Sequence, residues 1–311
     1  MEKPLIKLYR IRTFGEKISD TFDFVRENFR PLLKYLTYLM LPLSLVQAFA
    51  QTNFMGGYMD FIEKMGKNVQ QNSDVSQMLS WVGSMTLMVV VDYVAMMLLV
   101  AIVYAMMQHY EQRPQRLEGI TGEELRPDVT RLLGRQFIVL ITSIVVMAVF
   151  GVFAALMAVI HIGMVILAFV LLLVAIPLFA LVTPIYLFER ETGIVSAYTK
   201  SIRLGWKTWG GIVGVGLVLF IIVTIVGSII ETPWTIMLMV KNVLTAQGSD
   251  TGFVSSFGYT AIQYLLGVIS TYVGNLLMSL LYIGMAYQYG HACEKVDGVT
   301  VDRDIENFET L

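Results

Sequence analysis

The stretch Thr199 to Gly211, TKSIRLGWKTWGG, sets lysine, threonine and glycine close together between two apolar segments, the composition of a phosphate-binding loop. That chemistry needs four residues between two glycines and then Gly-Lys-Ser/Thr in succession, so that backbone N–H groups and the lysine reach one phosphate chain. Here Trp206 separates Gly205 from Lys207 and no glycine precedes at the right spacing, so the loop cannot form. Other reactive layouts are missing as well. The chain has no Gly-x-Ser-x-Gly elbow and no HExxH pair, and Glu123-Glu124 stands at the wrong spacing to an arginine for a membrane glutamate protease. The single cysteine, Cys293, excludes an internal disulfide and a multi-cysteine metal site, and His109, His161 and His291 show no ligand spacing. The methionines read as adaptable filler in apolar helices, since Met96-Met97 and Met106-Met107 lack the His or Cys partners of a copper route. No enzyme activity, metal or cofactor is expected.

Asp92, in MVVVDYVAMM, is the only acid near the middle of an apolar segment. An ionisable group at bilayer depth costs about 2.5 to 3.5 kcal/mol on insertion scales, which makes it a functional candidate. It fits a proton or cation site in a transport path. It also fits a protonated carboxyl, or a packing hydrogen bond to a Ser, Thr or Tyr on a neighbouring helix. The further acids or facing base of an ion pathway are missing, which favours the packing role.

Composition decides what must position these residues. Hydrophobic residues make up 56% and charged residues 15%, against about a quarter charged in soluble domains. The chain is expected to be an integral membrane protein. A net charge of -2 without a long basic run gives no attraction to nucleic acid, so no nucleic-acid partner is expected. The first thirty residues carry both signs of charge, so no signal peptide is expected.

Six apolar runs are long enough to cross a bilayer as helices, near residues 31–49, 81–108, 136–159, 163–188, 210–230 and 260–289. The expected fold is all-α, a polytopic membrane bundle of six transmembrane helices, in a single membrane domain over 1–311. Pro177 and Pro184 can kink the fourth span, and Glu231, Pro233 and Trp234 read as the exit of the fifth. Of the 22 lysines and arginines, all but Lys64, Lys67 and Lys241 fall on one side of this arrangement. Positive residues stay in the cytoplasm, so both termini are expected there, in the cell inner membrane, with 291–311 as a cytoplasmic tail.

Between spans lie amphipathic segments. On a helical wheel Ile194, Tyr198, Ile202, Gly205 and Trp209 share one arc, with Val195 and Trp206 at its edge, and Lys200, Arg203 and Lys207 fall opposite. Tyr198, Trp206 and Trp209 suit interfacial anchors, and the three cations suit contact with anionic lipid headgroups, each contributing about 1 kcal/mol near a charged leaflet. Phe14, Ile18, Phe22, Val25 and Phe29 repeat the spacing, and Leu125, Val129 and Leu132 repeat it more weakly. The chain therefore reads as three units (14–108, 119–188, 193–290), each a juxtamembrane cytoplasmic helix followed by a transmembrane hairpin. Such stripes either contact lipid or pack on the ends of the spans.

The pattern FERETGIVSAYTKSIRLGWKTWGG, with Ala197, Ser201, Leu204 and Trp209, resembles the Ala…Ser-x-x-Leu…Trp signature of bacterial proteins similar to the glycerophosphoryl diester phosphodiesterase membrane domain. RTFGEKISDTFDFVRENFRPLL and AYQYGHACEKVDGVTVDRDIENF look like the ends of its Bacteroidetes branch. The resemblance implies membrane topology. Some relatives carry a soluble phosphodiesterase barrel, which is not expected in this chain, and no catalytic residue carries over. Three functions follow as expectations. The first is a non-enzymatic multi-pass protein organising or assisting lipids or an unidentified membrane protein partner. The others are a transporter or permease accessory subunit with its polar site at Asp92, and a membrane region acting with a separate lipid phosphodiesterase.

Overall fold

The computed structural model describes residues 5–67, 75–113, 115–160, 163–246 and 252–300. Among them eight helices follow in order: α1 (Phe14–Glu27), α2 (Phe29–Lys67), α3 (Val75–Gln112), α4 (Gly122–Ile160), α5 (Gly163–Phe179), α6 (Val182–Phe188), α7 (Ile194–Ala246) and α8 (Phe257–Asp297). No strand occurs among the described residues. Six stretches are long and apolar enough to cross a membrane, with α5 and α6 together supplying one. The all-α polytopic bundle expected from the sequence is the fold observed. His161 and residues 301–311 of the expected tail lie outside the described residues.

The helices outrun the apolar segments. α2 has 39 residues and α7 has 53, about 58 and 80 Å of helix at 1.5 Å per residue, against a hydrocarbon core of about 30 Å. α8 runs on to Asp297, so His291, Ala292 and Cys293 are buried in helix rather than lying in a tail. α7 likewise continues through Pro233, and Trp234 is buried. Hydropathy marks where lipid begins and ends, but a helix needs only its own i to i−4 hydrogen bonds and continues into polar sequence until something breaks it.

The breaks have local causes. Thr13 starts α1 with a capping box: its hydroxyl accepts from Glu16 N at 3.3 Å and Glu16 Oε2 accepts from Thr13 N at 2.6 Å. The span expected as one helix over 163–188 parts after Phe179. Pro184 lacks an N–H, and its ring crowds the carbonyl of Ala180, which ends regular helix there. α7 leaves helical angles at Thr208 (φ −126°, ψ 23°). The juxtamembrane helix is thus separate in α1, continuous with its span in α4, and set off by a kink in α7.

The chain divides into two compact units. The first comprises Met1–Leu32, Val100–Ile221 and Ser279–Leu311. Its core is the end of α3, where every residue from Val100 to Met107 is buried, as expected of a helix apolar on all sides. Phe24, Tyr110, Tyr287 and Tyr289 complete that core, with Phe24 edge-on to Tyr110 at 5.1 Å between ring centres. In the same unit α4 packs on α5 and α6, while Ile144, Val145, Val149, Val152 and Leu156 remain exposed, an apolar surface suited to lipid tails. The second unit comprises Leu33–Leu99 and Ile222–Met278, with Met40, Ala48, Ala95, Leu238 and Val268 among its buried residues.

Candidate functional site

The cationic face of α7 carries its own counter-ions. Lys200 Nζ lies 2.7 Å from Glu189 Oε1 and 3.8 Å from Asp297 Oδ2, and Arg203 lies 2.8 Å from Asp297 Oδ1. Glu189 also accepts from Tyr289 Oη at 2.7 Å and from Thr192 Oγ1 at 2.8 Å, and the Tyr289 hydroxyl is 3.1 Å from that of Tyr9. Lys207 is exposed, with no ion pair among the described residues. Two of the three cations are therefore already partnered by acids from the α6–α7 connection and the end of α8.

The aromatic anchors differ from one another. Tyr198 turns its hydroxyl to Thr142 Oγ1 at 3.2 Å and Ser143 Oγ at 3.3 Å on α4, at the edge of an apolar cavity of about 260 Å³ that α5 also lines. Trp209 donates weakly from Nε1 to Val174 O at 3.4 Å. Trp206 stays 71% exposed. What holds this helix is a face that the apolar stripe does not name: Ala197, Ser201, Leu204 and Thr208 are all buried. Ser201 Oγ donates to Leu178 O at 2.7 Å. Gly205 sits so close to the α5–α6 break that a Cβ would lie 2.9 Å from Leu178 Cα.

α1 repeats this arrangement. Its buried face is Lys17, Thr21, Phe24 and Asn28, while Phe14, Phe22 and Phe29 of the apolar stripe are exposed, Phe29 by 55%. The two faces lie about a quarter turn apart at 100° per residue. In α4 the same +4, +3, +4 spacing gives Leu125, Val129, Leu132 and Gln136, of which Leu125, Leu132 and Gln136 are buried. The segment before α1 is fastened onto α8: Arg12 N donates to His291 Nδ1 at 3.0 Å, and the buried Arg12 side chain meets Asp20 at 2.7 Å and stands 4.7 Å from the Tyr287 ring centre.

A polar cavity of about 310 Å³ opens beside this fastening, lined by Tyr9, Gln108, Glu111 and Arg190 among others. Gln108 is held by Arg131 at 2.9 Å and donates to Leu187 O at 3.2 Å. Asp128 collects His109 at 3.0 Å, Arg131 at 2.8 Å and Arg190 at 3.7 Å. No group of three His, Cys, Asp or Glu side chains placed to hold a metal occurs among the described residues.

In the second unit Asp92 is the end of a hydrogen-bonded chain. Gln47 Nε2 donates to Asp92 Oδ1 at 3.0 Å, and Asn275 Nδ2 donates to Gln47 Oε1 at 2.7 Å. Thr271 Oγ1 donates to Ser44 O at 3.2 Å nearby. Asp92 itself is exposed, beside exposed Val89, Val90, Tyr93 and Val94. The packing partner expected from sequence was a hydroxyl; the observed one is an amide. Gln47 and Asn275 carry no charge, so a search for ionisable groups passes over them, although amides at bilayer depth also need partners. The chain joins α2, α3 and α8, and none of the cationic face is part of it.

No family model, curated protein or solved structure matches the chain.

Proposed function

We propose that this chain is a non-enzymatic multi-pass protein of the inner membrane, with both termini cytoplasmic, that organises lipids or membrane partners through its surface helices. The observation that carries the reading is the way α1 is mounted. Its mostly polar face, Lys17, Thr21, Phe24 and Asn28, packs inward, and Phe14, Phe22 and Phe29 of its apolar stripe stay exposed, although one edge of the Phe14 ring lies against Gly214 of α7. An apolar stripe left uncovered beside the ends of spans is supported by lipid at the headgroup boundary. The exposed Val195, Ile202 and Trp206 of α7 repeat that situation. Because Lys200 and Arg203 are ion-paired within the chain, the apolar stripes carry the contact and Lys207 is the cation left for a headgroup.

The test is a spin label at Phe22→Cys in the full chain in nanodiscs, where the native Cys293 is buried and inert to labelling. Oxygen accessibility above that of a water-soluble nickel chelate is the expected result. The reverse ratio at residue 22 defeats the reading.

A second reading, transport through Asp92, draws its support from the Gln47–Asn275 chain, whose amides donate toward the carboxylate and give an ionisable group a polar neighbourhood within the second unit. It requires Asp92→Asn to stop flux in reconstituted vesicles without loss of folded protein.

A further inference from the structure

The cavity of about 310 Å³ lies wholly within the first unit, where the last turn of α3 (Gln108, Glu111, Gln112) meets the segment before α1 (Leu8, Tyr9) and the end of α6 with the turn after it (Phe188, Arg190). It is at the small end of ligand pockets, which run from about 300 to 1,000 Å³. Its wall carries one acid, Glu111, and one base, Arg190.

The hydrogen bonds already made fix what each side of the cavity offers. Tyr289 gives its single hydroxyl proton to Glu189 at 2.7 Å, so in the 3.1 Å contact between Tyr9 and Tyr289 it is Tyr9 that donates. Tyr9 therefore meets the cavity with an acceptor oxygen and no proton to give. Glu111 accepts from Leu8 N, and as a carboxylate it can only accept. Glu111 stands in the C-terminal turn of α3, where the helix dipole favours a cation.

Arg190 and Gln112 bring the opposite character. The Arg190 backbone carbonyl is fixed by Arg135 at 2.6 Å, but its guanidinium reaches Asp128 only at 3.7 Å. Asp128 already holds Arg131 at 2.8 Å and His109 at 3.0 Å. A guanidinium has five N–H donors, so Arg190, with its side chain 63% exposed, keeps most of them for another acceptor. Gln112, exposed at the helix end, adds an amide. The remaining walls are braced. Phe188 stacks on Tyr289 at 5.8 Å and lies 4.8 Å from the Tyr104 ring, and the Leu8 carbonyl packs on Gly290 too closely to admit a Cβ there.

We propose that this cavity binds a small zwitterion, a primary ammonium joined to an acidic group, with the ammonium on Glu111 and the Tyr9 oxygen and the acid on Arg190. The ammonium supplies donors to both acceptors, and the oxygens of the acid accept from the Arg190 fork and the Gln112 amide. A lone anion would leave Glu111 unanswered and a lone cation would leave Arg190 unanswered, so both charges belong on one molecule. The chemistry comes from a free amino acid or from the ethanolamine headgroup of a phospholipid. No residue of the cavity belongs to the exposed stripes of α1 and α7, so the site does not depend on how those stripes sit in lipid.

The experiment uses the full chain in phosphatidylcholine nanodiscs, whose quaternary ammonium has no N–H to donate, and reads the unfolding temperature. One arm titrates glycine, β-alanine and γ-aminobutyrate, which scan the distance between the charges; the other replaces part of the host lipid with phosphatidylethanolamine. The controls are methylamine mixed with acetate at equal ionic strength, and trimethylglycine, which keeps both charges without an N–H. Arg190→Gln and Glu111→Gln are the variants. The first changes an exposed side chain and the second keeps an acceptor for Leu8 N, so each is expected to show its own unfolding transition. At least one amino acid is expected to raise the unfolding temperature where the controls do not, and each variant is expected to bind it about tenfold to a hundredfold more weakly. A rise with phosphatidylethanolamine alone, lost in both variants, identifies the headgroup. No rise in either arm, an equal rise with the controls, or a rise that either variant retains in full overturns the proposal.

Discussion

Asn28 and Thr208 share one backbone conformation, φ −109°, ψ 22° and φ −126°, ψ 23°, each at the last buried position of its surface helix. Each side chain bonds back to the carbonyl four residues earlier: Asn28 Nδ2 to Phe24 O at 2.9 Å, and Thr208 Oγ1 to Leu204 O at 2.8 Å. At Phe24 O this bond adds to the backbone bond that Asn28 N donates at 3.0 Å, and so holds the cap residue in place where the chain turns from surface helix to span. Asn28→Ala and Thr208→Ala are each expected to cost about 1 kcal/mol, read as lowered unfolding temperatures. A neutral result for both would show that the turn is set by packing alone.

Arg135 is expected to be the most sensitive surface-facing residue of the first unit. Its Nε donates to Tyr186 O at 2.7 Å, and its terminal nitrogens donate to Arg190 O at 2.6 Å and to Glu189 O and Thr192 O at 2.9 Å. The guanidinium also lies 3.9 Å from the Tyr186 ring centre. Arg135→Lys keeps the charge but cannot present a fork, so it is expected to lose about 2 kcal/mol or more. The measure is limited proteolysis in the connection between α6 and α7, with cleavage faster in the variant. Unchanged cleavage in Arg135→Lys would mean that charge alone holds the connection.

For Asp92, the amide chain separates structural from ionic roles. Asp92→Asn keeps an acceptor for Gln47 Nε2 and is expected to change stability by no more than about 0.6 kcal/mol. Asp92→Leu leaves that amide unpaired and is expected to cost about 1 to 3 kcal/mol. Reversible unfolding in bicelles checks both. Equal losses in the two variants would show that the carboxylate charge itself is required.

Lys17 makes the first unit sensitive to alkaline pH. Burial, with Lys295 and Arg12 nearby, lowers its pKa from 10.5 to about 8. Between those values the unfolded chain holds a proton that the folded chain has released, so stability rises with pH across that window and is flat in this group below it. The groups facing Lys17 are Arg12 with its partner Asp20, and His291, Gln288 and Lys295 of α8. Unfolding temperature against pH tests the slope. Lys17→Met should remove it, and an unchanged slope in that variant would mean that another group titrates.

The six spans were legible because hydropathy is a property of a window of about 20 residues and needs no knowledge of neighbours. The surface helices were legible by the same kind of local periodicity, and the exposed stripe of α1 is where the sequence puts it. The faces that hold these helices were not. Ala197 and Ser201 are small, Lys17 and Asn28 are polar, and none scores as a core residue until α8, α3 or the α5–α6 break lies against it.

The sequence by itself determined the class of protein, the number of apolar spans and the periodicity of the helices, all consequences of residues within a few turns of one another. Tertiary structure alone decided which charges stay free. Lys200 and Arg203 look like a cationic patch until Glu189 and Asp297 arrive, Asp297 from nearly a hundred residues away. Lys17 looks like one more positive residue of the N-terminal segment until α7 and α8 close over it beside Gln288. Charge is written in the chain, but compensation depends on which distant segments meet, because an ion pair or a buried orphan is a matter of a few ångströms in space.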